Sequence, residues 1–336
     1  MKGIDFMAYP KPLSEKSLAR LYAQSGLSEE QIDYLHRFFR ACANLYGAID
    51  LHAVWDLYRE ELMSMRIHRK DFYFFSGIAR RESQPYAVYE IDELYTEEKR
   101  ADGSREIISS PLVLAGVDKL VRYYRLQNLR KSTPWYHAPD ILSFAEAKLP
   151  PEGEHLLSFL NSLKVTAEVS RSAFGGTIPC EHRGLRLGQF SFLNCFERFD
   201  EEYYAARSRE LAWRREERAG TEAEKILRQY HLRQCIGYPT PTDSLQMVFS
   251  ELQEVGVELS DQQMNHLLQL LQDFHNHTHL WRNGGWSPYE LYDVTPRTSA
   301  PSISFGPGLQ KMFEDGSIDK DETIRMLRKM GLKVIE

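Results

Sequence analysis

Long apolar runs are missing from this chain. No stretch approaches the roughly eighteen residues that a membrane-crossing helix requires, so no membrane partner is expected. Cysteine is scarce, with four among 336 residues. Cys42, Cys180, Cys195 and Cys235 show no CxxC spacing and read as reduced, buried thiols. An excess of basic charge is absent too: 42 Lys and Arg stand against 48 Asp and Glu, a net charge of -6. That excludes nucleic-acid attraction by the whole surface and leaves room only for a local basic patch. Neither G-x-x-x-x-G-K-[ST] nor G-x-G-x-x-G occurs, which removes the common nucleotide loops, and no cofactor is expected. The opening MKGIDFMAYPKPLSEK lacks the apolar core of a secretory signal, which points to a cytoplasmic protein. No nucleophile-with-base or paired-carboxylate signature stands out, so the reading leans away from an enzyme.

What the chain has in quantity is helix punctuation. Residues 1–27 read as an arm and a short helix ended by Gly26. Ser28 then caps a helix, Gln31 completes its capping box, and Leu27 with Ile32 forms the staple. Ile32, Leu35, Phe38, Phe39, Cys42 and Leu45 give it one apolar stripe, and Gly47 stops it. Asp50 caps a second helix with Val54, Trp55, Leu57, Tyr58 and Leu62, and a third spans His68–Arg81. The period then changes to that of strands, Tyr86–Ile91 and Glu106–Ser109, around an Asp-Gly tip. Three helices followed by a hairpin is the order of a winged helix, so the predicted fold is mainly α. A winged-helix-like module over 28–150 precedes a helical domain over 151–296 and an extension over 297–336 with short helices.

Charge indicates where such a module could meet nucleic acid. The third helix carries Arg66, Arg69, Lys70, Arg80 and Arg81 against Asp71 and Glu82. A following helix, Leu112–Arg130, presents Lys119, Arg122 and Arg125 with interleaved Tyr123 and Tyr124. The hairpin tip mixes Glu97, Glu98 and Asp102 with Lys99, Arg100 and Arg105, less basic than a phosphate-gripping wing.

In the second half, Pro150-Pro151-Glu152-Gly153 reads as the domain boundary, a helix runs over His155–Val169, and Phe174-Gly175-Gly176 breaks it. Cys180 with His182 lacks the third, orienting group that a nucleophile and base need. The chain is organised around residues 263–296. Ser260 and Gln263 box the start of a helix predicted to run to Trp281 or Arg282, and Asn283-Gly284-Gly285 ends it. Ser287 caps the next helix, with Pro288 at its first position and Glu290 closing the box. Trp281 and Trp286 are expected in the core. On a continuous helix His275 and His279 would share one face at a spacing that zinc can use, but no H-E-x-x-H pattern supports a metal.

The passage from Asn276 to Leu291, NHTHLWRNGGWSPYEL, resembles a pattern in Firmicutes helical proteins that sometimes carry a SEC-C zinc motif. Asn44-Leu45-Tyr46-Gly47-Ala48-Ile49 is similar to the start of the same proteins. The resemblance implies a helical scaffold and transfers no catalytic residues. The clustered C-terminal cysteines of the SEC-C motif are absent here. The function expected from the sequence is a protein-interaction scaffold or adaptor with an unknown protein partner. The alternative is a nucleic-acid-binding regulator that uses the third helix and the Lys119–Lys131 face.

Overall fold

The computed structural model describes residues 10–61, 65–90, 93, 105–114, 134–146, 148–166, 169–173, 176–180, 183–190, 220–236, 241–294, 302–304, 320, 324–325 and 333–335. The chain is mainly helical, with a small three-stranded antiparallel sheet. Among the described residues no helix is long and apolar enough to cross a membrane.

Helix α1 (Glu15–Ser25) starts where the Ser14 hydroxyl accepts the Ser17 amide and ends at Gly26, left-handed at φ 72°. Helix α2 (Glu29–Tyr46) opens on the full Ser28–Gln31 capping box. Such a cap is worth about 1 kcal/mol. Its stripe of Leu35, Phe38, Phe39, Cys42 and Leu45 is buried, as the periodicity predicts. Gly47 then turns the chain into a strand that sequence reading passed over, β1 (Ala48–Asp50). Three residues are too few to show a period; what makes them a strand is pairing with β3 (Arg105–Ser109), Ala48 opposite Ile108. Helix α3 (Leu51–Glu61) begins with the Asp50 carboxylate accepting the His52 amide at 2.7 Å. Helix α4 (Arg69–Ala79) follows, then β2 (Tyr86–Glu90), antiparallel to β3. The sheet order is β1-β3-β2, so the last strand is central. Helix α5 (Ser110–Leu114) leaves the sheet.

Strand alternation divides the sheet between two cores. Tyr86, Val88 and Ile107 face a cluster drawn from α2, α3 and α4, while Ala87, Tyr89 and Ile108 face the opposite side. In the first cluster the Phe39 ring meets Phe72 and Phe75, each at 5.2 Å, in edge contacts. Such pairs add about 0.5–1.5 kcal/mol each beyond area burial. That packing accounts for the full burial of Phe72 and Phe75.

The second half departs from the sequence reading at its start. The helix expected from His155 starts earlier: Pro150 is the N-cap and Pro151 the first residue of α6 (Pro151–Ser162), where proline's fixed φ suits a helix and its missing N–H costs nothing. Helix α6 also ends sooner than expected. The chain then forms a hairpin, β4 (Val169–Ala173) with β5 (Gly176–Cys180), where a broken helix was expected. Ahead of α6, Ile141–Ala145 forms a 3-10 segment packed on α2. Helices α7 (Glu222–Ile236), α8 (Pro241–Glu254) and α9 (Asp261–His277) join α6 around a second core that includes Leu156, Leu160, Val248, Leu271 and Phe274. The third cluster bridges the two, packing Cys235, Ile236, Leu280 and Trp281 on the back of the sheet. Helix α10 (Pro288–Val294) follows.

From Leu291 the chain forms a unit of its own, in which β6 (Ser302–Ser304) pairs in parallel with β7 (Lys333–Ile335). The short helices expected in the 297–336 extension fall largely outside the described residues. So do the hairpin tip, His182, residues 191–218, and Lys119, Arg122 and Arg125 of the predicted basic helix.

Candidate functional site

Four of the eight cations that the sequence singled out stand exposed in or beside α4. Arg69 and Lys70 open the helix, Arg66 precedes it, and Arg81 follows its C-cap residue Arg80. None of the four lies within ion-pair distance of a carboxylate among the described residues. Arg66 is held left-handed at φ 48°, the single non-glycine residue with positive φ among those described. That conformation costs an L-residue about 1–2 kcal/mol. The Arg69 guanidinium lies 5.5 Å from the centre of the Tyr73 ring one turn on. Phe74, on the same face, is 45% exposed.

Arg80 is the exception, and it leaves the candidate surface. It is 8% exposed and turned inward, with Nη1 on Glu90 and Nη2 2.5 Å from Glu93. At the end of α4 its direction is that of the sheet, and the two acids on and after β2 neutralise it. Arg105 of β3 is held in the same way: Nη1 donates to Ser76 Oγ at 2.8 Å and to the Tyr73 carbonyl at 3.2 Å, and Nη2 lies 3.6 Å from Glu90. Among the described residues, Arg80 and Arg105, which face the sheet, are given carboxylates, and the exposed cations in and beside α4 are not.

The flank of α4 is fixed by α1. Tyr22 donates to Glu82 Oε2 at 2.6 Å, His36 Nε2 lies 2.9 Å from the Tyr22 hydroxyl and 3.2 Å from that carboxylate, and His36 Nδ1 lies 2.9 Å from the Tyr86 hydroxyl. Burial alone would raise the Glu82 carboxyl, but hydrogen bonds from His36 and Tyr22 outweigh it and hold its pKa below the usual value. Burial and the Glu82 charge push the Tyr22 phenol up. Sequence reading placed Glu82 as an acid competing with the basic helix. It is instead occupied within the core flank.

The corner after α9 collects the other predicted residues. Helix α9 ends at His277, earlier than predicted, because the Thr278 hydroxyl turns back to donate to the Phe274 carbonyl at 2.5 Å and the backbone becomes extended. His275 and His279 therefore share no helical face, and the metal spacing dissolves. His275 Nε2 lies 3.5 Å from Arg282, and burial followed by the Arg282 charge pushes its pKa down to about 4. His279 points elsewhere, with Nδ1 2.6 Å from the Gly285 carbonyl and its ring between Tyr136 and Phe144. Among the described residues no group of three His, Cys, Asp or Glu could hold a metal ion.

The rest of the corner is scaffolding. Trp281 is buried and its Nε1 donates to the Asn44 carbonyl at 2.7 Å; Trp286 is half-buried and donates to the Pro134 carbonyl at 3.0 Å. A Cβ on Gly47 would lie 2.5 Å from the Trp281 ring, and one on Gly285 would lie 2.8 Å from Tyr46. Gly284 is left-handed at φ 65° and Pro288 opens α10, with Ser287 and Glu290 forming the expected reciprocal cap. The two passages that carried the sequence resemblance thus pack on each other. Nearby, Cys235 Sγ lies 3.2 Å from His231 Nε2. Burial raises this thiol to about 12 and lowers the imidazole to about 4, so the pair is neutral and its sulfur is a poor nucleophile. No protein-family model, curated protein or solved structure matches this chain.

Proposed function

We propose that the protein binds nucleic acid through the outer face of α4, as a regulator or accessory factor built on a winged-helix module. The reading is supported by the element order α2–β1–α3–α4–β2–β3 and the β1-β3-β2 sheet, in which α4 takes the place of the third, recognition helix. The observation that carries it is electrostatic. Arg66, Arg69, Lys70 and Arg81 stand exposed without carboxylate partners among the described residues, whereas Arg80 and Arg105 beneath them are neutralised. Exposed cations of this kind meet phosphates by releasing counterions, so affinity should fall steeply with salt, at roughly 0.9 log units per log unit of salt for each phosphate contact.

The test is binding of the purified protein to labelled mixed-sequence duplex DNA and to single-stranded RNA, titrated across salt. Salt-dependent binding that disappears in Arg69→Glu plus Arg81→Glu is the expected result. Absence of binding at low salt to either probe would overturn the reading. A second reading, the protein-interaction scaffold, is favoured by Phe74, whose large apolar ring sits exposed on the same face. It takes over if neither nucleic acid binds.

A further inference from the structure

We propose that Arg69 is the base-reading residue of this face, a guanine reader pre-set on the Tyr73 ring, and that the ligand is therefore double-stranded DNA. The inference rests on the nucleic-acid reading above and adds which residue confers specificity.

Position and geometry distinguish Arg69 from its neighbours. It is the first residue of α4, and the N-terminal residues of a recognition helix are those that reach base edges. Its guanidinium lies over the Tyr73 ring at 5.5 Å, an attraction between cation and ring face. Tyr73 is itself fixed. His52 meets it edge-on at 5.6 Å, Phe72 lies at 6.0 Å, and Arg105 binds its carbonyl at 3.2 Å. The Tyr73 hydroxyl makes no hydrogen bond among the described residues, so the ring is its contribution. A planar fork held over a fixed ring, with no carboxylate partner among the described residues, keeps donors available for a ligand and has less freedom to lose on binding. Guanine offers the matching pair of acceptors, O6 and N7, on the major-groove edge of B-form DNA. The deep, narrow major groove of an RNA duplex hides that edge, which commits the proposal to DNA. Lys70, Arg81 and Arg66 have no such platform among the described residues and serve as phosphate contacts, which fix register without reading sequence.

The experiment selects bound duplexes from a randomised DNA pool with the wild-type protein, then measures binding of variants to the selected and to scrambled duplexes across salt. Wild type should enrich a guanine at one position. Arg69→Lys keeps the charge and removes the fork, so its preference for the selected duplex should fall about 10-fold or more, with an unchanged salt slope. Tyr73→Phe should behave as wild type, and Tyr73→Leu should lose a few-fold of the preference. Arg81→Ala should weaken selected and scrambled duplexes equally. A selected guanine that Arg69→Lys still prefers as strongly, or salt-dependent binding with no sequence preference, overturns this inference alone. Failure of the wild type to bind any duplex or RNA overturns the underlying reading with it.

Discussion

The outer face of α4 and the corner at Trp281–Trp286 are made of similar residues, and the structure uses them oppositely. Each has arginine, histidine and aromatic rings close together. In the corner, Trp281, Trp286 and His279 have their ring nitrogens on backbone carbonyls, and two glycines let backbone and ring close up without a gap. On α4 the guanidinium and ammonium groups face outward with no acid provided among the described residues. Residue type does not separate a structural cluster from the proposed binding one. What separates them is whether the polar groups already have partners.

Four substitutions sharpen that contrast. Trp281→Ala should have the largest effect, because it empties the back of the sheet and abandons the Asn44 carbonyl. We expect a loss of about 3–5 kcal/mol in denaturant unfolding, with the folded fraction retaining the DNA binding proposed for the wild type. A loss of binding larger than the loss of folded protein would place the corner in the interface and break the contrast. Next comes the neighbouring pair Arg80 and Arg81. Arg80→Ala leaves Glu90 and Glu93 facing each other and should cost on the order of 3 kcal/mol. Arg81→Ala should stay within about 0.5 kcal/mol of wild type. Equal melting temperatures for the two variants would contradict the inward placement of Arg80.

The smallest effect is expected at Arg66. Replacing it by glycine relieves about 1 kcal/mol of left-handed backbone cost and adds about as much unfolded-chain freedom. Stability should hardly move in Arg66→Gly, while DNA affinity falls by one phosphate contact and the salt slope shrinks accordingly. Unchanged affinity and salt slope would remove Arg66 from the surface.

Capping residues were the most legible part of the sequence, since a Ser with Gln or Glu three residues on is a local, reciprocal bond. Ser28, Ser260 and Ser287 each start a helix where the pattern indicates. Strand β1 was not legible, because Ala48 and Ile49 become a strand only by meeting Ile108 and Ile107. Nor was the end of α9, which depends on one hydroxyl at Thr278 returning to the Phe274 carbonyl. In the candidate site, Arg66, Arg69, Lys70 and Arg81 could be named from composition. The inward turn of Arg80 could not, since it is set by Glu93 thirteen residues later across a chain reversal. The Tyr73 platform carried a signal that was available, an aromatic four residues after an arginine on one helix face.

The hydrogen bond from Trp281 to Asn44 joins residues 237 apart. During synthesis, then, Asn44 emerges long before the ring that covers it. Until the ribosome has delivered Trp281, the Ala48, Ala87 and Ile108 side of the sheet has no lid from that part of the chain. Such late closure slows folding, because the long loop must be closed before the contact returns anything. The nascent N-terminal module should therefore be the species that chaperones hold and that aggregates when production outruns them.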